Sequence, residues 1–258
     1  MVEFSPYSFH EFLKQQAPQL LASRFTSPGE SSEVGAPHGT TIISLTYAGG
    51  VVMIGDRRAT MGNYIASRDI TKVFEVDSHS VIGISGTVGV AQELVRLFAL
   101  ELEHYEKIEG VQLSFSGKAN RLSTILRNQL QLALQGLTVV PIFSGFDNKH
   151  NKGRVFSYDI AGGRYEESDF QCTGSGGGFA RSSLNRLWKP DFSESLAVEV
   201  GLLALIDAAH YDSATSGPDW RNSIWPTVVC IDSEGFREYD SQQIQVLLER
   251  IISQEGGN

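Results

Sequence analysis

Cysteine and net positive charge are both scarce in this chain. The two cysteines among 258 residues, Cys172 and Cys230, lie in apolar or strand-like stretches and share no C-x-x-C spacing. That pattern excludes a disulfide framework and a thiolate zinc site. Free thiols fit a reducing compartment, so a cytoplasmic location is expected. Lys and Arg number 21 against 30 Asp and Glu, a net charge of −9 with a pI of about 5.2. Such a surface repels nucleic acid and anionic membranes, and no basic block carries interleaved aromatics. Neither is expected as a partner. No run approaches the roughly 18 consecutive apolar residues of a membrane span. The opening MVEFSPYSFHEFLKQQAPQLL lacks a basic start feeding an apolar run, so it does not read as a secretory signal.

What is present is an ordinary globular composition, 41% hydrophobic and 20% charged, long enough for one large domain with a substantial core. Residues 1–39 differ from the rest. An amphipathic piece from Phe9 to Leu21, with Phe9, Phe12, Leu13 and Leu20 apolar and Pro18 interrupting, leads into SRFTSPGESSEVGAPHG, a linker composition. At Gly39-Thr40 the pattern turns to β. Thr40–Tyr47, the turn Ala48-Gly49-Gly50 and Val51–Arg57 read as a hairpin. A second hairpin is expected over Ile65–Val76 and His79–Ser85. Helical spacing covers Val88–Lys107, stopped by Gly110, and Phe115–Gly136, capped near Ser116. Strands are predicted over Val139–Phe146, Arg154–Asp159 and Gly163–Cys172, helices over Phe179–Leu187 and Glu194–Tyr211. A strand pair, Ile224–Asp232 and Phe236–Tyr239, and a helix from Ser241 to Ile252 complete the order. Strands and helices come in groups, which predicts an α+β layered sandwich rather than alternating βαβ units.

The first hairpin has a chemical consequence. A turn centred on Gly49 sets Thr40 beside Arg58 and brings Asp56 one step along, so an acid approaches the first residue of the domain. Asp56 stands in an apolar run, VVMIGDRR, where a carboxylate needs a partner. Lys72, at the head of KVFEV, is the natural one. A Lys–Asp pair beside a hydroxyl can lower the effective pKa of that hydroxyl and of a neighbouring amine. On the residues alone, a purely structural ion pair stays open. Other signals fall away. The run GSGGG at 174–178 lacks the Gly-Lys-Ser/Thr of a phosphate loop, and GISGT at 83–87 misses the G-x-S-x-G elbow. His104 and His210 lie late in their helices, far apart in sequence, which favours helix-end or partner-facing roles over metal ligation. Trp188, Trp220 and Trp225 read as core or interface residues.

The stretches GTTIISL, GGVVMIGDRRAT, ASRDITKVFEV, GISGTVG, LELEHYEKIEG, TGSGGGFARSSL and YDSATSGPD, with the spacing Thr40–Asp56–Lys72, resemble a proteasome β-subunit of the actinobacterial type. The resemblance runs from Gly39 to about Ile252, and YSFHEFLKQQAPQLL resembles the propeptide of that type. It implies the four-layer αββα sandwich of N-terminal-nucleophile hydrolases over residues 40–258, with residues 1–39 a propeptide removed by cleavage of Gly39-Thr40. Thr40 would supply nucleophile and, once its amine is free, base. Asp56 would orient Lys72, the Gly86 N–H would donate to the oxyanion, and Ser175, Asp212 and Thr215 would support the amine and a bound water. Ile70, Phe74, Ile84 and Val88, with Ala59 nearby, would line an apolar first substrate pocket that favours hydrophobic residues before the cut. No metal or organic cofactor is implied. The implied partners are α-subunits, other β-subunits in heptameric rings, a ring-shaped ATPase acting through the α-ring, and unfolded protein substrates carrying a small ubiquitin-like modifier. Two departures stand out: Ser216 follows DSAT where many relatives carry glycine, and GSGGG is richer in glycine than usual, which would loosen the support from Ser175. A non-catalytic ring subunit is the rival within the family. An amidase, or the simpler bacterial two-ring peptidase, is the rival outside it, and the long propeptide and DSATSGPD weigh against both.

Overall fold

The computed structural model describes residues 39–255; the amphipathic stretch Phe9–Leu21 and the linker after it lie outside the described residues. Twelve strands and six helices follow from Thr41 onward: β1 Thr41–Tyr47, β2 Gly50–Gly55, β3 Ala59–Met61, β4 Tyr64–Ser67, β5 Val73–Asp77, β6 Ser80–Gly86, α1 Val88–Glu109, α2 Phe115–Asn128, α3 Leu130–Leu134, β7 Val139–Asp147, β8 Lys152–Tyr158, β9 Arg164–Glu167, β10 Phe170–Gly174, α4 Gly177–Leu187, α5 Glu194–Tyr211, β11 Thr227–Asp232, β12 Gly235–Glu238 and α6 Ser241–Glu255. Two five-stranded antiparallel sheets, ordered β10-β1-β2-β11-β12 and β5-β6-β7-β8-β9, stack face to face, and β3-β4 form a separate ribbon.

Three apolar cores define four layers. Ile42, Met53, Val81 and Ile142 meet between the sheets. Ile43, Leu45, Val52 and Ile54 face α4, α5 and α6 on the outside of the first sheet. Ile82, Phe143 and Phe156 face α1 and α2 outside the second. The predicted α+β sandwich is therefore present. Because β1 and β2 are covered on both faces, their sequences lack polar alternation. Of their few polar residues, Ser44 finds Ser144 of the facing sheet at 2.8 Å, as a buried hydroxyl must.

Several boundaries differ from the sequence expectation. Tyr47 pairs with Gly50 and Ile42 with Gly55, so the hairpin turns on the two residues Ala48-Gly49. That tight loop shifts the register by one: Arg57, not Arg58, falls opposite Thr40, and Asp56 comes level with Thr41, the start of the strand, where its N–H reaches the Thr41 carbonyl at 3.1 Å. The predicted strand Gly163–Cys172 is two strands, β9 and β10, which belong to different sheets. The long helix from Phe115 breaks at Gln129, whose N–H is shared between the Ile125 and Leu126 carbonyls, a tightened last turn. Its cap is Ser114, accepting from Gly117 N–H at 3.2 Å, rather than Ser116. β4 pairs with β3, so only β5 and β6 make the second predicted hairpin. Residues 219 and 224 form an isolated bridge, and the strand expected from Ile224 begins at Thr227. Among the described residues no helix is long and apolar enough to cross a membrane.

Candidate active site

The predicted residues gather at one end of the stacked sheets. Thr40 immediately precedes β1, Asp56 follows β2, Lys72 precedes β5, and Gly86 ends β6. Ser175 bridges β10 and α4, and Asp212 terminates α5. This clustering follows from the hairpins: each places its open ends at the same edge. The Ile84 N–H donates to the Lys72 carbonyl at 2.9 Å, tying the Lys72 segment to β6. Ser85 Oγ lies 2.9 Å from Thr173 Oγ1 of β10, tying the end of β6 to the strand beside β1.

Thr40, Asp56 and Lys72 are all buried, at 2%, 1% and 2% exposure. The Lys72 ammonium donates to Asp56 Oδ1 at 2.6 Å, to the Gly39 carbonyl at 2.9 Å and to the Arg58 carbonyl at 2.5 Å. Three acceptors use its three protons. Burial lowers the Lys72 pKa from its ordinary 10.5, and the Asp56 carboxylate opposes that shift. Asp56 is itself saturated: Oδ1 also accepts Thr41 N–H at 2.8 Å, and Oδ2 accepts Arg58 N–H at 3.0 Å and Ser216 N–H at 3.1 Å. A carboxylate donated to on both oxygens is held in one orientation, with Oδ1 facing the ammonium.

In this uncleaved chain the Thr40 nitrogen is an amide. The Thr40 hydroxyl donates to the Gly39 carbonyl at 2.5 Å, the same oxygen that Lys72 holds. Hydroxyl, carbonyl, ammonium and carboxylate thus form one chain around the Gly39-Thr40 bond. Gly39 is required by close approach: a Cβ there would lie 2.5 Å from the Ala214 carbonyl and 2.6 Å from Thr60 Oγ1.

A second network lies on the other side of Thr40. Ser175 Oγ reaches Asp212 Oδ2 at 2.6 Å and the Thr40 carbonyl at 3.3 Å. Thr215 Oγ1 donates to the same Asp212 oxygen at 2.5 Å. Its proton being used there, Thr215 accepts from Thr41 Oγ1 at 2.6 Å. The glycine-rich run therefore does not leave Ser175 without partners. Gly86 sits at φ +111°, where a Cβ would meet the Thr138 carbonyl at 2.1 Å, so only glycine turns the chain there. Of the pocket residues, Ala59 and Ile84 are buried, whereas Ile70, Phe74 and Val88 are half-buried apolar surface around the Lys72 end of β5 and the start of α1. Ile70 is fixed by its N–H to the Arg57 carbonyl at 2.9 Å.

Sequence reasoning missed three contributors: the Arg58 carbonyl, the Thr41 hydroxyl and the Ser216 side chain. The first is backbone and carries no residue-type signal. The other two sit beside predicted residues, and Ser216 was visible as a departure from glycine. His104 and His210 are exposed, Trp225 is buried, and Trp220 packs edge-on against it with 4.7 Å between ring centres. Trp188 donates to the Thr46 carbonyl at 3.1 Å. Among the described residues no group of three or more His, Cys, Asp or Glu converges as metal ligands would.

Comparison with known proteins gives one consistent answer. The Proteasome family, described as Proteasome subunit, matches residues 36–219. A protein named Proteasome subunit beta from Streptomyces griseus is 52% identical over 254 residues, covering 97% of this chain and 90% of its own. One of the same name from Acidothermus cellulolyticus is 51% identical, covering 97% and 88%. A third, from Jonesia denitrificans, is 56% identical over 230 residues, covering 89% and 76%. The chain belongs to the proteasome family, and within it to the core β-subunits, which are generally threonine peptidases.

Proposed function

We propose that this β-subunit is a self-processing threonine endopeptidase, synthesised with residues 1–39 as a propeptide and matured by cleavage of Gly39-Thr40. The observation that carries this is the chain of contacts from the Thr40 hydroxyl through the Gly39 carbonyl to Lys72 and Asp56. Attack of Thr40 Oγ on the Gly39 carbonyl carbon forms a C–O bond. The oxyanion develops on the oxygen that Lys72 already holds. Collapse breaks the C–N bond, and the hydroxyl proton ends on the departing Thr40 nitrogen. Water then hydrolyses the resulting ester, releasing residues 1–39 as a carboxylic acid and Thr40 with a free amine.

That amine, with a pKa near 8 when unperturbed, becomes the base for peptide cleavage. It takes the Thr40 hydroxyl proton, directly or through a water, as Oγ attacks a substrate carbonyl. The Gly86 N–H donates to the new oxyanion, and Ser175, Asp212 and Thr215 hold the amine and the hydrolytic water. Ala59, Ile70, Phe74, Ile84 and Val88 give the first pocket an uncharged apolar wall, so hydrophobic residues are preferred before the cut. The particle holds heptameric β-rings between α-rings in the cytoplasm. A ring ATPase feeds it unfolded substrates marked with a ubiquitin-like modifier. Enclosure fits the chemistry, since an indiscriminate peptidase must be kept from other proteins until assembled.

Thr40→Ala tests the proposal. The variant is expected to keep residues 1–39 and to lose peptide cleavage, read by chain mass and by release from a peptide with a hydrophobic residue before the cut. A Thr40→Ala chain still cut at the same bond would refute self-processing. Full peptidase activity in that variant would refute the nucleophile.

A further inference from the structure

We propose that Ser216 is a positioning residue of the peptidase, clamping the outer edge of the Asp56 carboxylate so that its inner edge stays aimed at Lys72. This rests on the threonine-peptidase function proposed above. The two oxygens of Asp56 have separate tasks. Oδ1 takes Lys72 Nζ and Thr41 N–H; Oδ2 takes Arg58 N–H, Ser216 N–H and, at 3.4 Å, Ser216 Oγ. The Ser216 hydroxyl oxygen also accepts Arg57 N–H at 3.1 Å. With that lone pair occupied by a donor, its one proton is left for Asp56.

The side chain thus ties together two segments far apart in sequence. Its own turn carries Asp212 and Thr215. The Asp56–Arg58 turn carries the carboxylate and the carbonyl that accepts Lys72. Arg57 continues the line, since its carbonyl holds Ile70 N–H two residues before Lys72. A glycine at 216 would supply the backbone N–H to Asp56 but would leave Arg57 N–H without this acceptor and Oδ2 without the hydroxyl. Ser216 is 9% exposed and touches none of the reacting groups, so it acts through Asp56. It also lines a polar cavity of about 300 Å³ with Arg58, Arg68, Asp219 and Trp220.

The test compares the assembled full-length particle as wild type, Ser216→Ala, Ser216→Gly and Ser216→Thr, with kcat expressed per site labelled by a threonine-directed electrophile. Ser216→Ala and Ser216→Gly are each expected to lower kcat about tenfold, the scale of a lost hydrogen bond to a charged group. KM should be unchanged and Gly39-Thr40 cleavage slowed in parallel, because both reactions use Lys72. Ser216→Thr, which keeps the hydroxyl, is expected to restore both. Expression per labelled site removes any deficit of folding or assembly from the comparison. Wild-type kcat in Ser216→Ala and Ser216→Gly would overturn the clamp, as would a loss confined to KM or one that Ser216→Thr does not restore. A wild-type particle that neither cleaves peptide nor takes the label would instead sink the peptidase function itself, and the clamp with it.

Discussion

An ammonium enclosed by protein must meet as many acceptors as it has protons, and Lys72 does, through Asp56, Arg58 and Gly39. This decides the expected pH dependence. Burial lowers the Lys72 pKa below 10.5, so the folded chain releases that proton before the unfolded chain does. Between the two values the unfolded state binds more protons, and this lysine's contribution makes stability rise with pH. Activity should move the opposite way there. It should climb as the free amine of Thr40 loses its proton near pH 8, then fall as Lys72 loses its own below 10.5. A pH–kcat profile run beside thermal denaturation checks the pair of signs; activity holding through pH 10.5 would contradict the charged-lysine role. At Gly39, the Ala214 carbonyl and Thr60 hydroxyl crowd the place of a Cβ. Gly39→Ala is therefore expected to slow propeptide release at least about tenfold, with the uncut chain accumulating on a gel. Asp56 and Lys72 were legible in the sequence because a charge in an apolar run announces a partner. The carbonyls that complete the Lys72 shell were not, because any residue type can offer one.

Among the elements, the hydrophobic pattern specified strands and helices better than it specified their ends. β1 and β2 were plain from their β-branched apolar runs, yet the register shift depended on whether the loop held Ala48-Gly49 or Gly50 as well, a choice made by hydrogen bonds rather than by residue type. The passage from β9 to β10 at Ser168-Asp169 was invisible because a strand reads the same in either sheet. The α2 cap illustrates the same limit. Two serines stand at the helix start; Ser114 caps it, while Ser116 Oγ accepts from Arg154 at 2.9 Å. Ser114→Ala should then cost about 1 kcal/mol in urea denaturation of the assembled protein. An unchanged midpoint would assign the cap elsewhere.

At the scale of the whole molecule, four layers leave one end where β1, β2, β5 and β6 bring their termini together, and the candidate catalytic groups all lie there. The α+β class was legible from the grouping of elements. The αββα layering came from the family resemblance, and the two outer cores and the inter-sheet core bear it out. Outside those cores, α1 and the residues after it keep Leu97, Leu100, Tyr105, Ile108 and Val111 exposed. Apolar surface of this kind marks a chain that meets other subunits. The central claim, that one residue serves as nucleophile and base after its own release, is tested most directly by the mass and N-terminal sequence of the purified particle's β-chain, taken before and after a threonine-directed electrophile. The account predicts a chain that begins at Thr40 and gains a single adduct on that residue, with peptidase activity lost in step. A chain that still carries residues 1–39 while it cleaves peptide, or an adduct on any other residue, would contradict it.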